Sequence, residues 1–475
     1  MKKRICVFLI FVLLFSLTIT GYAENNEVKV QLNGEYISFD VNPQIINGTT
    51  FVPARTIIEK LGATVKYDES TRTVTAVKED KTVTLQMDSK VAKIEEDGET
   101  VDITLTESPR IINGRTLVPV RFISEAFDTQ VGWDSYERAV IIIDYNYLTG
   151  LLENTLKTNS PKFYEFLNNG YKQMNTGKIK YDLSLNFKSA PNPDSIDAYT
   201  TIGFLGAFDA GIDANMNAAL NEESMFFDID LSTKGMLKEF LNNEALGFKG
   251  LDNINIKILF NEEYMYLKSD VFSKVEDLKQ FPVGDKWIRF KILDENMPNL
   301  KEIRDMIQNQ NIKPIDAFIM GIENSNAVLD VNTFDNMITS VEVISYLFNN
   351  DHFKVKGISN NTKTYTLTLS SEDIFNLVNM SARLSGEDIE NDPEFADLKE
   401  NLKFNFNVDI TIKDDYVTNE NIDLNFDLNS PEDGQFELNL KGNVDISDIN
   451  SSSIKIDIPS DSEVIDSEYL ENYGL

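Results

Sequence analysis

From residue 179 onward, apolar and polar positions alternate over stretches that only long strands explain. Tyr181, Leu183, Leu185 and Phe187 point one way, and Asp182, Ser184 and Asn186 the other. The same period of two marks Ile254/Ile256/Ile258/Phe260, Ile288/Phe290/Ile292 and Leu402/Phe404/Phe406/Val408/Ile410/Ile412. It returns at Ile422/Leu424/Phe426/Leu428, Phe436/Leu438/Leu440 and Ile454/Ile456/Ile458. Strands with one apolar face predict a large antiparallel sheet that is wet on its other side. Turn chemistry predicts hairpins at Asp414-Asp415 and at 430–434. Helical periodicity at 297–308, 315–324, 334–348 and 374–384 supplies elements to cover the apolar face, and two further helices, broken at Ser160-Pro161, are expected within 144–173. The economical arrangement is a curved sheet with helices packed into it.

Upstream the pattern differs, and it occurs twice. Residues 43–74 read PQIINGTTFVPARTIIEKLGATVKYDESTRTV, and residues 109–140 read PRIINGRTLVPVRFISEAFDTQVGWDSYERAV. In each copy apolar residues flank Asn47-Gly48 or Asn113-Gly114, the dipeptide suited to a type I′ hairpin turn. Pro53 and Pro119 suit the first turn of a helix. Arg55/Glu59 and Arg121/Glu125 then lie at i,i+4, within reach of one another. Gly62 fits a helix stop, and Asp128 in the second copy implies a different cap. A strand–turn–strand follows at 64–77, its turn flanked by Asp68 and Arg72, as Asp134 and Arg138 flank the second. Further strands are expected at 27–32, 36–41 and 81–94. Charges recurring at equivalent positions of a duplicated unit are read as ties within that unit. The fold class is therefore α+β: a small duplicated β-hairpin/short-helix domain, then a large antiparallel, curved sheet covered by helices.

NGTTFVPARTIIEKLGATVKYDESTRTV and NGRTLVPVRFISEAFDTQVGWDSYERAV resemble the copper amine oxidase N-terminal-like (stalk) domain of exported bacterial proteins, over about 28–144. Tyr67 stands where the second copy has Trp133. The resemblance implies a non-catalytic appendage and does not imply amine oxidation. Type-2 copper in such an oxidase needs three imidazole ligands, and this chain has one histidine, His352. The C-terminal region, about 161–465, resembles by pattern the half-barrels of lipoprotein-carrier and lipid-binding envelope proteins. FYEFLNNGYKQMNTGKIKYDLSLNF reads as a helix leading into a first long strand, and IKIDIPSDSEVID as a last strand ending at Pro459. That resemblance implies a concavity that either holds an apolar or lipid ligand or is filled by the helices as a dry core.

Composition narrows the chemistry. Lys2, Lys3 and Arg4, an apolar run 5–19 and Gly21-Tyr22-Ala23 have the three parts of a cleaved export signal. The one cysteine, Cys6, lies inside that leader, so the mature chain offers no disulfide or thiolate. A net charge of −33 argues against nucleic acid and against charge-driven docking on anionic lipid. His352, beside Asn350 and Asp351, reads as an exposed loop residue. Gly170…Gly177-Lys178 lacks the spacing and the Ser/Thr of a phosphate loop, and no G-x-S-x-G elbow occurs. Asp445, Asp448 and Asn450 read as a polar turn, without the glycine and glutamate of a calcium loop. Trp133 and Trp287 are too far apart to form a sugar platform.

The expected organisation is a leader at 1–23, the duplicated domain at 24–145, a linker at 146–160, the sheet domain at 161–466 and an acidic tail at 467–475. The expected function is that of a secreted, non-enzymatic cell-envelope protein, without cofactor or metal and not membrane-spanning once the leader is removed. Its large domain would bind or sense an apolar ligand. The alternative is a structural protein that attaches to cell-wall polymer or an envelope partner. A wall hydrolase built on paired carboxylates is the third reading, motivated by acidic composition alone.

Overall fold

The period-two segments other than 454–458 become one 12-stranded sheet among the described residues. The computed structural model describes residues 27–169, 172, 174–191, 207–243, 250–291, 315, 319, 328–384, 389–430 and 434–471. The leader lies outside them, as do the expected helix at 297–308 and most of 315–324, of which Ile315 and Ile319 are helical. The chain forms two compact units. Among the described residues, Ile315, Ile319 and 328–342, which the sequence places in the C-terminal region, group with the N-terminal unit, and those from 156 to 291 and from 343 to 471 form the other.

In the N-terminal unit, each Asn-Gly turn has both residues at positive φ (53° and 77° at Asn47-Gly48, 51° and 71° at Asn113-Gly114), as a two-residue I′ hairpin requires. The hairpins are Gln44–Ile46 with Thr49–Pro53, and Arg110–Ile112 with Arg115–Pro119. The two copies then pair with each other. Val52 lies opposite Val118, Phe51 opposite Pro119 and Pro53 opposite Leu117. Val52 faces its own counterpart, and the Phe51–Pro119 and Pro53–Leu117 pairs are equivalents of each other, the self-complementary logic of a two-fold contact. Pro53 and Pro119 end these strands, so they precede the helices Ala54–Lys60 and Val120–Glu125 instead of entering their first turns.

After the first helix the chain runs through a five-stranded meander, Thr64–Asp68, Thr73–Lys78, Lys81–Gln86, Val91–Glu96 and Glu99–Thr104. The single strand expected at 81–94 is thus two, divided by a turn with Asp88 at φ 61°. The strand expected at 36–41 is limited to Glu35–Tyr36. In the second copy Gln130–Asp134 pairs with Ala139–Ile143, which takes Lys29–Leu32 in parallel. Val52, Ile57, Val118 and Ile123, all fully buried, join Leu85 and Ile142 in one core between the copies.

The large sheet is a meander in two arms. Gly177–Pro191, Phe208–Leu220, Met225–Lys234, Asn253–Phe260, Tyr264–Ser269 and Trp287–Lys291 pair in sequence. Phe353–Ser359, Thr362–Ser370, Leu402–Lys413, Tyr416–Ser430 and Gly434–Ser447 do the same, and Gly434–Ser447 returns to pair with Gly177–Pro191. The Asp414-Asp415 turn has both residues at positive φ, 51° and 70°. Ile454, Ile456 and Ile458 form no strand, which corrects the expectation of a last strand ending at Pro459. The closing strand is Val464–Asp466, parallel to Trp287–Lys291. Ser467–Glu471, read from sequence as acidic tail, is helical, and its Leu470 is buried with Phe281, Val283 and Ile288. The helix Ser371–Leu384 and the helix Pro393–Asn401 pack on one face of the second arm, where Ile374, Phe375 and Leu398 meet Leu402, Phe426 and Leu428. The Pro393 helix was not expected from its sequence, although Asp392 caps it by accepting the Glu394 N–H at 2.7 Å.

Candidate functional site

The repeated polar residues are each occupied close to home. Asp68 accepts the Ser70 N–H at 2.8 Å, and Asp134 accepts those of Tyr136 and Glu137 at 2.9 and 3.0 Å, closing equivalent turns. Arg72 and Arg138 end those turns at φ 54° and 52°, and Arg72 pairs with Asp88 at 2.8 Å. Arg121 reaches Glu125 at 3.2 Å and donates to the Val131 carbonyl at 2.7 Å. Among the described residues no ion pair joins Arg55 to Glu59, so this tie exists in the second copy alone. Asn47 donates to Glu107 at 3.2 Å. Gly62 and Asp128 share one cap, with φ of 82° and 60° and N–H donation to the carbonyls of Glu59 and Glu125 at 3.1 Å each. The different cap expected at Asp128 is therefore not found, because aspartate tolerates the left-handed region. These residues do not converge on one pocket.

His352 departs from its expected exposed loop. Its side chain is 13% exposed, with Nε2 at 2.8 Å from Asp373 and Nδ1 at 3.0 Å from the Tyr346 carbonyl. The Tyr346 hydroxyl also donates to Asp373, and the Ser370 N–H and hydroxyl donate to its other oxygen. Burial pushes the Asp373 carboxyl up, but the Ser370 N–H and hydroxyl, Tyr346 and His352 together hold it below its ordinary range. The turn after Thr333–Leu347 folds the imidazole back against the Tyr346 ring. With both ring nitrogens engaged, the histidine ties a helix end to the next helix start and has no nitrogen left for a general base.

A broad array of polar side chains lies on the polar face of the sheet. Register places Thr366, Asp409, Asn421, Asn443, Asp182, Asn215, Asp230 and Asn255 in one unbroken row across successive strands. The next row is Thr368, Asn407, Asp423, Lys441, Ser184, Asp213, Ser232 and Asn253. Across five central strands the face is hollowed into a groove of about 530 Å³, lined by Asp182, Ser184, Asp213, Asn215, Asn407, Asn421, Asp423, Lys441 and Asn443, with Leu183, Ile422 and Gly442 between them. Neighbouring side chains orient one another: Ser184 donates to Asp213 at 2.7 Å, Asn419 to Asn443 at 3.0 Å and Asn443 to Asp445 at 2.8 Å. Burial pushes Asp213 up, yet Lys234 at 2.7 Å and Ser184 keep it below the usual carboxylate range. The groove thus presents fixed amides, carboxylates, a hydroxyl and an ammonium, spaced by about 4.8 Å from strand to strand. Such an array donates to and accepts from vicinal hydroxyls. The sequence showed the alternation that makes this face, but only as the wet side of a sheet; the in-register Asn/Asp rows depend on pairings between distant strands.

Other motifs are locally satisfied. Lys178 pairs with Asp448 at 2.6 Å, and Asn450 accepts the Asn175 N–H at 2.9 Å. Among the described residues no helix is long and apolar enough to cross a membrane.

Residues 31–142 match the family of the copper amine oxidase N-terminal domain, covering both copies of the repeat. That domain is a non-catalytic module in the oxidases. Copper does not fit this chain, whose one histidine is committed to Asp373 and Tyr346. The match does not extend to the large sheet, and the likeness of that sheet to lipoprotein carriers stays a matter of pattern. No curated protein matches the chain.

Proposed function

We propose that this is an exported, non-catalytic component of the cell envelope that holds a hydroxyl-rich wall polymer in the polar groove of its large sheet, with the duplicated domain as its stalk. The groove itself carries this reading. Amide and carboxylate groups at strand spacing match the repeated hydroxyls of a glycan better than they match an acyl chain, which would leave them unpaired. Export is supported by the three-part leader, and the stalk role by the match over residues 31–142. Retention of the full chain on purified wall glycan tests the proposal. Asn421→Val with Asn443→Val, which keep strand propensity, should lower retention at least fivefold with little change in melting. No retention of the unaltered protein, or equal retention of the double variant, would sink it.

A second reading places an apolar ligand against the opposite face. It is favoured by the half-burial of Leu183, Leu185, Leu424 and Leu440, which leaves apolar surface in the middle of the sheet. Delipidated protein that takes up neither fatty acid nor a hydrophobic dye would end that reading.

A further inference from the structure

Further along the same polar face, beyond the strand Met225–Lys234, two lysines face each other. Lys257 and Lys268 lie directly opposite on the paired strands Asn253–Phe260 and Tyr264–Ser269. Like charges at such positions destabilise a sheet unless an anion stands between them. The segment that follows folds over this pair and encloses a hollow of about 790 Å³, to which Lys279, Phe272 and Phe281 also contribute. Three ammonium groups thus gather in one hollow of a chain whose acidic residues outnumber its basic ones 77 to 44.

Each lysine has a carboxylate partner, and the partners differ. Asp228, 27% exposed, holds Lys257 at 3.1 Å from within the sheet. Asp285 meets Lys268 at 2.8 Å while its own side chain is 96% exposed, and Glu276 meets Lys279 at 2.6 Å while 77% exposed. Glu463 also lies within the field of Lys268. Asp285 follows Gly284, whose φ of 54° turns the chain so that the carboxylate reaches back to the strands. Its carboxyl is held below the usual range by the hydrogen bond and charge of Lys268, and the charge of Lys257 adds to this. The tethered carboxylate therefore marks a position where both cross-strand ammoniums act. Being almost wholly in solvent, it is held weakly and can be displaced.

We propose that this hollow is a binding site for a phosphoryl group, with Asp285 as a built-in competitor that an incoming phosphate displaces from Lys268. A phosphate carries more charge than the carboxylate and has three oxygens to distribute among Lys257, Lys268 and Lys279. The net charge of the chain does not forbid this, because charges more than about 8 Å away are screened at physiological salt. Phe272 and Phe281 give the hollow an apolar side, which suits an organic phosphate.

The test is calorimetric titration of the full chain with inorganic phosphate, alongside sedimentation with vesicles of phosphatidylglycerol in phosphatidylcholine. Asp285→Asn should tighten phosphate binding about threefold, by removing the competitor. Lys257→Gln with Lys268→Gln should weaken it at least tenfold while the melting temperature holds or rises, since a like-charge pair is removed. Vesicle binding that depends on these lysines and is competed by phosphate identifies a lipid headgroup as the source, and phosphate binding without sedimentation identifies a soluble phosphate. If Asp285→Asn does not tighten binding, or the lysine variant binds phosphate as the unaltered chain does, the proposal is overturned.

Discussion

At the scale of single residues, the positions that matter most are those whose backbone or burial sets a limit on side-chain choice. Gly62 ends its helix at φ 82° with open space around it, apart from the end of Lys78. Gly62→Ala should therefore cost about 1 kcal/mol, through backbone strain alone, and thermal melting would show it. Its counterpart Asp128 endures the same conformation and gains an ion pair with Lys81 at 2.7 Å. A different limit applies to Glu420. It stands on the apolar face of the sheet between Val444 and Ile410, and burial pushes its carboxyl above the ordinary value of 4.5. The sign follows from linkage. As pH rises past the ordinary value the unfolded chain loses this proton first, so stability falls until the folded carboxyl has also ionised. Glu420→Gln should then raise the melting temperature at pH 7 by about 1–3 °C, and the gain should vanish below about pH 4. A gain that persists in acid would locate the effect in packing instead.

Elements show where local pattern stops being informative. The Asn-Gly hairpins, the short helices and the long alternating strands follow from neighbours in sequence, so they are legible from the residues. The pairing of Val52 with Val118, the parallel ladders of Lys29–Leu32 with Ala139–Ile143 and of Trp287–Lys291 with Val464–Asp466, and the groove assembled from five strands are set by contacts between distant segments. No periodicity in one strand reports them. Glycines offer a way to test one such contact. A Cβ on Gly132 would lie 2.5 Å from the Leu329 Cβ, so this strand accepts the 328–335 segment only because the side chain is missing. Gly132→Ala should destabilise the N-terminal unit by about 1–3 kcal/mol. Gly150, exposed in the helix Tyr145–Asn159 with nothing within 4 Å, is the control. Gly150→Ala should stabilise by about 0.5–1 kcal/mol, and equal effects at both sites would remove the argument from Leu329.

At the scale of the whole chain, the N-terminal unit is built from two parts of the sequence. The family match covers 31–142, but among the described residues the compact unit also takes in Ile315, Ile319 and 328–342, so the module here is completed by a piece supplied from within the region that builds the large sheet. That piece is integrated. Leu329 and Phe334 are 5% and 7% exposed, Gln31 donates to the Val331 carbonyl at 3.0 Å, and the Val331 N–H reaches Asp134 at 3.3 Å. Asp134 thereby closes its own repeat turn and holds the distant segment, and its counterpart Asp68 has no such second task among the described residues. A fragment ending at residue 155 would expose the surface under Leu329 and Phe334. Two buried side chains of this size are worth roughly 3–6 kcal/mol, a large share of the stability of a small domain. The fragment should therefore unfold at lower denaturant than the same unit does in the full chain, as read by hydrogen exchange of the Ala139–Ile143 amides. A synthetic peptide of 315–342 added in trans should restore part of that protection, and Leu329→Ala in the peptide should reduce the restoration. Full protection of the fragment without the peptide would mean that the duplicated domain is complete in itself, and that the later segment rests on it without supporting it.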